Sequence, residues 1–140
     1  MSATDDTLLA EGLEFPEGPI WMADGSVIVV EIKRGTLSRV GPDGSVDVVA
    51  DCGGGPNGAA VGPDGKVYVC NNGGFEWHSQ GGFLLPGNEP ADYTGGSIQR
   101  VDIETGEALE WCPSILGKLL RPILGPKPDG PVVPTFKVSH

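Results

Sequence analysis

A forty-residue repeat constrains this chain more than any other feature. Pro16-Glu17-Gly18-Pro19-Ile20-Trp21 returns in weaker form as Pro56-Asn57-Gly58-Ala59-Ala60-Val61, forty residues on. Asp24-Gly25-Ser26-Val27 returns at the same offset as Asp64-Gly65-Lys66-Val67. Two independent matches at one spacing define a period. Repeats of about forty residues, built from short apolar runs and Asp-Gly turns, are the signature of β-propeller blades. The residue after the first proline differs between the copies, a carboxylate in one and a carboxamide in the other. A frame residue repeats unchanged, so Glu17 and Asn57 are the positions where the repeats present chemistry.

Turn residues and apolar runs divide each copy into strands. In the first, strands are expected at 18–22, 26–31, 36–40 and 45–50. Val27-Ile28-Val29-Val30 is a β-branched run typical of a strand covered on both faces. Asp-Gly between such runs predicts type I′ hairpin turns, which need positive φ at both central residues. Gly53-Gly54-Gly55 reads as the connector between copies, because no Lys-Ser or Lys-Thr follows to make it a phosphate loop. The second copy has strands expected at 59–61 and 67–70. Its third is displaced: Gly35-Thr36-Leu37-Ser38-Arg39-Val40 is echoed by Gly96-Ser97-Ile98-Gln99-Arg100-Val101 only after sixty-one residues. The excess falls in an insertion at 74–95, expected to be irregular and mobile. Its Phe75, Trp77, His78 and Tyr93 either flank a pocket mouth or pack as a flap on their own blade. Residues 1–107 are thus expected to form a partial propeller, with blade one at about 16–50 and blade two at about 56–107. Residues 1–15 lead in and are candidates for an outer strand of a final blade. Residues 108–140, with six prolines, read as a divergent or disordered Pro-rich tail.

The 19 acidic and 9 basic residues give a net charge of −10. Such a surface repels a phosphate backbone, which argues against nucleic acid as a partner, and it suits a divalent cation. Cys52, Cys70 and Cys112 form no metal-ligand or redox pair, the usage expected of reduced thiols in the cytoplasm. No apolar run is long enough to span a membrane, and residues 1–10 lack the basic and apolar parts of a signal peptide. No G-x-S-x-G elbow is present. His78 and His140 are too far apart in sequence for a helical metal pair, and His78 beside Ser79 does not read as a catalytic couple. Glu11, Glu14 and Glu17 have helical spacing, but Pro16 argues against a helix, so Glu11 and Glu14 are expected to be solvated.

Glu17-Gly18-Pro19-Ile20-Trp21, followed by Pro56-Asn57-Gly58, Asp64-Gly65 and Val67-Tyr68-Val69-Cys70-Asn71-Asn72-Gly73, resembles the senescence marker protein/gluconolactonase/luciferin-regenerating enzyme family over about residues 10–107. The resemblance implies a six-bladed propeller that hydrolyses sugar lactones or related esters with one divalent metal ion in its central tunnel. Ca²⁺ is the first choice, with Zn²⁺, Mn²⁺ or Mg²⁺ possible, since oxygen ligands suit hard ions. It implies a metal-ligand role for Glu17. The remaining protein ligands, an asparagine and an aspartate, come from later blades. Asn57 falls at a rim position facing the tunnel, where it would serve the substrate or support the metal's ligands. The Arg/Asn substrate motif of a third blade has no clear match in residues 108–140. The fold class read from the sequence is therefore all-β, the first two blades of a six-bladed propeller followed by an irregular tail. As a truncated lactone hydrolase it is expected to be inactive alone and to self-associate through exposed blade flanks. The alternative is a non-catalytic propeller fragment or binding scaffold.

Overall fold

The computed structural model describes residues 7–113, which form ten strands in three antiparallel sheets and no helix. The first sheet is a meander of β1 (Pro16–Trp21), β2 (Val27–Glu31), β3 (Thr36–Val40) and β4 (Val46–Asp51), lying in sequence order. The second contains β5 (Pro56–Val61), β6 (Val67–Asn71), β9 (Ser97–Val101) and β10 (Ala108–Pro113), again with the earliest strand at one edge and the latest at the other. Between β6 and β9, β7 (Trp77–Gln80) and β8 (Phe83–Pro86) make a separate hairpin.

The turns differ in type from the sequence expectation. In the loop after β1, the Gly25 amide donates to the Met22 carbonyl at 3.0 Å. Only Gly25, at φ 82°, is left-handed there, and Asp24 is not. This is the geometry of a type I turn closed by a left-handed glycine, rather than the I′ turn. The aspartate has a different duty: its Oδ1 accepts the Ser26 amide at 3.0 Å and the Ser26 hydroxyl at 2.6 Å. Asp43 does the same for Ser45, and Asp64 accepts the Lys66 amide. Asp-Gly recurs because one residue caps the turn and the other supplies the positive φ.

The two sheets stack face to face. Ile28, Val30 and Leu37 of the first join Val67, Val69 and Val101 of the second in one core, all fully buried, with Ala50 and Cys52 at its margin. Each such side chain contributes roughly 1.5–3 kcal/mol by leaving water. The repeat explains the stacking order. Val27, Val29 and Val40 are the first-sheet counterparts of Val67, Val69 and Val101, yet they line the opposite face, where Leu9 and Leu13 lie over them. One face of each repeat is thus the acceptor for the repeat before it.

The lead-in segment takes up that relation. The Leu9 carbonyl oxygen lies 2.6 Å from where a Cβ on Gly44 would be, and the Val49 oxygen stands 2.7 Å from the same point on Gly106. Ile32 donates to the Phe15 carbonyl at 3.1 Å, and Asn72 to the Gly55 carbonyl at 2.9 Å. Residues 9–15 therefore lie against the first sheet as residues 49–55 lie against the second.

Besides shifted bounds at β1, β4 and β5, three observations depart from expectation. The insertion is structured, with Gly81-Gly82 turning the β7–β8 hairpin. A strand at Ala108–Pro113 completes the second sheet beyond residue 107. Glu14 is not simply solvated: its carboxylate pairs with Lys33 at 3.1 Å. Of the tail expected over 108–140, residues 114–140, with His140, lie outside the described residues.

Candidate functional site

β1 and β5 are the first strands of their sheets and lie beside one another. Gly18 makes this approach possible. Its φ is 54°, and a Cβ there would stand 2.9 Å from the Ala59 amide nitrogen and 3.0 Å from Gly58 Cα. Each strand starts with a proline paired across to the end of the next strand, Pro16 to Glu31 and Pro56 to Asn71. In each the register then slips, between Glu17 and Ile20 in β1 and between Pro56 and Gly58 in β5. A β-bulge re-aims the side chains around it and is over-represented beside functional sites. Glu17 and Asn57 both fall at these bulges, and both are exposed.

Two buried polar latches hold the chain as it enters these bulges. Glu31 is completely buried. Its Oε2 accepts the Glu14 amide at 2.6 Å, while Oε1 accepts the Ser38 hydroxyl at 2.6 Å and Arg34 Nη1 at 3.1 Å. Arg34 Nη2 continues to the Gly12 carbonyl at 2.8 Å. Asn71, forty residues later, plays the corresponding part. Its Oδ1 accepts the Gly55 and Gly73 amides, each at 2.9 Å, and its Nδ2 donates to the Gly53 carbonyl at 2.8 Å. Gln99, the repeat counterpart of Ser38, receives another Asn71 Nδ2 bond at 3.1 Å and donates to the Cys52 carbonyl at 2.7 Å. Four side chains thereby fix two entry segments. Sequence reading passed over them because the residue types differ, although the forty-residue offset from Glu31 to Asn71 was available as a signal.

The remaining candidates separate cleanly. His78 and Ser79 follow one another along β7, so their side chains leave opposite faces of the strand and form no couple. Glu11 is exposed, and no ion pair involves it among the described residues. Cys52 is buried, which pushes its thiol up to about 11, whereas Cys70 is exposed. Asp64 is held below the usual aspartate range, first by its hydrogen bond from Arg100, and Asp102 likewise by Lys66. These pairs tie the β5–β6 turn to the end of β9, at the opposite end of β5 from Asn57. Among the described residues, no three His, Cys, Asp or Glu side chains gather where they could share a cation.

A cleft of about 340 Å³ lies between the first sheet and the lead-in segment over it, lined by Leu9, Leu13, Val27, Val29 and Val40 and by Glu17. Its lining is otherwise apolar and offers little to orient a polar substrate. Aromatic side chains stand closer to the entry segments: Phe15 and Trp77 have ring centroids 5.2 Å apart, and Phe75 meets Trp77 edge-on at 6.1 Å.

No curated protein matches the chain closely enough to stand as a relative. The family model described as the SMP-30/Gluconolactonase/LRE-like region matches residues 15–113. That span starts one residue before β1 and ends with the last residue of β10, so it takes in both four-stranded sheets and the hairpin between them. With most of its length inside that match, the chain belongs to the SMP-30/Gluconolactonase/LRE-like family.

Proposed function

We propose that the two sheets are neighbouring blades of a six-bladed propeller that hydrolyses a sugar lactone or related ester. In this reading Glu17 supplies one carboxylate to a divalent cation, Ca²⁺ first and Zn²⁺, Mn²⁺ or Mg²⁺ as alternatives, and Asn57 presents its amide toward the substrate. The observation that carries the reading is the pair of corresponding bulges on adjoining first strands, each with its one non-repeating polar residue exposed. The described residues offer one carboxylate there and not a ligand set. They do not by themselves fit a metal ion, and no hydrolytic step is assigned through one. Residues 9–15 would belong to the blade preceding the first sheet, and the remaining blades would bring the other ligands. A reducing, cytoplasmic setting accords with the free Cys52 and Cys70.

The test is complementation. The 140-residue chain alone should hydrolyse glucono-1,5-lactone no faster than buffer with any of these ions. Fused to blades three to six of a homologous lactonase, it should turn the lactone over. Glu17→Gln should then lower kcat/KM by at least about a hundredfold, the scale of losing a charged group from a metal-assisted site. Full activity in the Glu17→Gln fusion would remove Glu17 from the site. The second reading is a binding scaffold without catalysis. An inactive fusion that still binds the lactone would select it.

A further inference from the structure

Two departures from the forty-residue repeat meet one another in space. The first is Phe15, which stands where the second copy has Gly55. A Cβ on Gly55 would lie 2.2 Å from Asn72 Oδ1 and 2.9 Å from Gly74 Cα, so the second copy has no room for a side chain there. The first copy carries a phenylalanine at φ 60°, the one left-handed residue other than glycine among those described. A bulky residue in that conformation is a genuine outlier, and such outliers cluster at ligand sites. The second departure is the insertion, which has no counterpart in the first copy. Its Trp77 packs on Phe15 at 5.2 Å with the rings inclined at 55°, and Phe75 completes the group.

The three rings are only half-buried. A cluster serving only to close a core would be covered, but these keep ring surface in solvent. Their place matters as much. Phe15 lies two residues before Glu17. Gly74, next to Phe75, packs on Gly54, so the base of the insertion sits against the connector that leads into Pro56-Asn57. The insertion therefore stands at the same ends of β1 and β5 that carry the carboxylate and the carboxamide.

Aromatic faces beside hydrogen-bonding groups suit a ring with an apolar C–H face and a polar rim. We propose that Phe15, Phe75 and Trp77 form an aromatic wall on which the C–H face of a sugar-like ring stacks, making the insertion the element that selects the ligand. This rests on the proposed location of the ligand at β1 and β5, but it requires no metal ion and no turnover.

Trp77 reports on it directly. In the full chain carrying Trp21→Phe and Trp111→Phe, Trp77 is the only tryptophan. Titration with 1,5-anhydroglucitol, a sugar ring with no bond to hydrolyse, should shift its emission saturably to the blue. Phe15→Ala should raise the half-saturation concentration by about tenfold, the scale of one aromatic contact. The response should be the same with EDTA present, which separates this proposal from the metal-ligand reading. Phe15→Gly relieves the backbone conformation, so it should weaken ligand binding without lowering the melting temperature. A purely structural stack would instead lose stability and leave binding unchanged. Saturation-transfer NMR on the unsubstituted chain guards against damage by the tryptophan changes and should show transfer to the ring C–H protons. Absence of both the Trp77 shift and the transfer overturns the proposal, as does a response indifferent to Phe15→Ala and Phe15→Gly.

Discussion

Gly18 and Gly25 share a left-handed backbone, yet only Gly18 has a neighbour where a side chain would go. Gly25→Ala should therefore cost only the conformational penalty, about 1–2 kcal/mol. Gly18→Ala adds a clash with the backbone of β5, which cannot retreat as a side chain can. It should cost at least about 3 kcal/mol and loosen the two sheets together, as chemical denaturation of the two variants will show. Glu31 is the other residue with a sharp expectation. Its carboxylate is fully buried, and removing it strips the Glu14 amide, the Ser38 hydroxyl and Arg34 Nη1 of their common acceptor. Glu31→Ala should destabilise by about 3–5 kcal/mol, while Ser38→Ala removes the hydroxyl's hydrogen bonds to Glu31 and Thr36 and should cost about 1–3 kcal/mol. Cys52 gives a pH dependence. Its thiol titrates near 11 in the fold because burial disfavours the thiolate. A raised value means that the unfolded chain releases this proton first, so the associated stability is intact below about pH 9 and declines toward pH 11. Cys52→Ala should flatten that alkaline limb in melts run across this range.

At the scale of elements, the chain was most legible where the repeat was strict. The strand at Thr36–Val40 has the bounds its pattern predicts, and β2 and β6 differ from expectation by one residue at one end. β10 was missed because the preceding turn uses Thr105-Gly106 instead of Asp-Gly, and the strand carries no β-branched residue to mark it. The turn is closed all the same, with the Gly106 amide donating to the Asp102 carbonyl at 2.8 Å and Asp102 Oδ1 accepting the Glu104 amide at 3.0 Å. The β7–β8 hairpin was missed for a different reason. Glycines were read as looseness, although two adjacent glycines between polar and apolar runs are also a hairpin turn. Of the candidate site, Glu17 and Asn57 stood out as breaks in the repeat, but neither their bulges nor the Glu31 and Asn71 latches did. Bulges depend on pairing register, and the latches on contacts across strands. Limited proteolysis should accordingly nick the exposed Gly81-Gly82 turn before the anchored base around Gly73-Gly74. A first cut inside β2 or β6 would contradict this ordering.

At the scale of the whole molecule, the repeat leaves two faces without a neighbouring sheet among the described residues. Residues 9–13 shield much of the first: Val29 and Val40 are buried beneath them. The second has no such cover among the described residues. Tyr68 lies on it with Trp111 packed edge-on at 5.4 Å, and Trp111 remains 63% exposed. Tyr68 and Cys70 are the repeat counterparts of Ile28 and Val30, two of the residues with which the first sheet enters the shared core. The face is thus the equivalent of one that is buried between the sheets, presented to water. Exposed aromatic surface of this kind recruits other chains. The occupant of this face within one propeller would be a neighbouring blade, and another molecule of the same chain offers matching apolar surface. The 140-residue chain should therefore associate reversibly at micromolar concentration. Trp111→Lys should shift it toward monomer because it places a charge where the contact would form, while the core of Val67, Val69 and Val101 on the far face of the sheet is untouched. Sedimentation velocity across a concentration series, paired with circular dichroism of both proteins, will check this. A monomer at every concentration before substitution, or association unchanged after it, would mean that this face is not the contact.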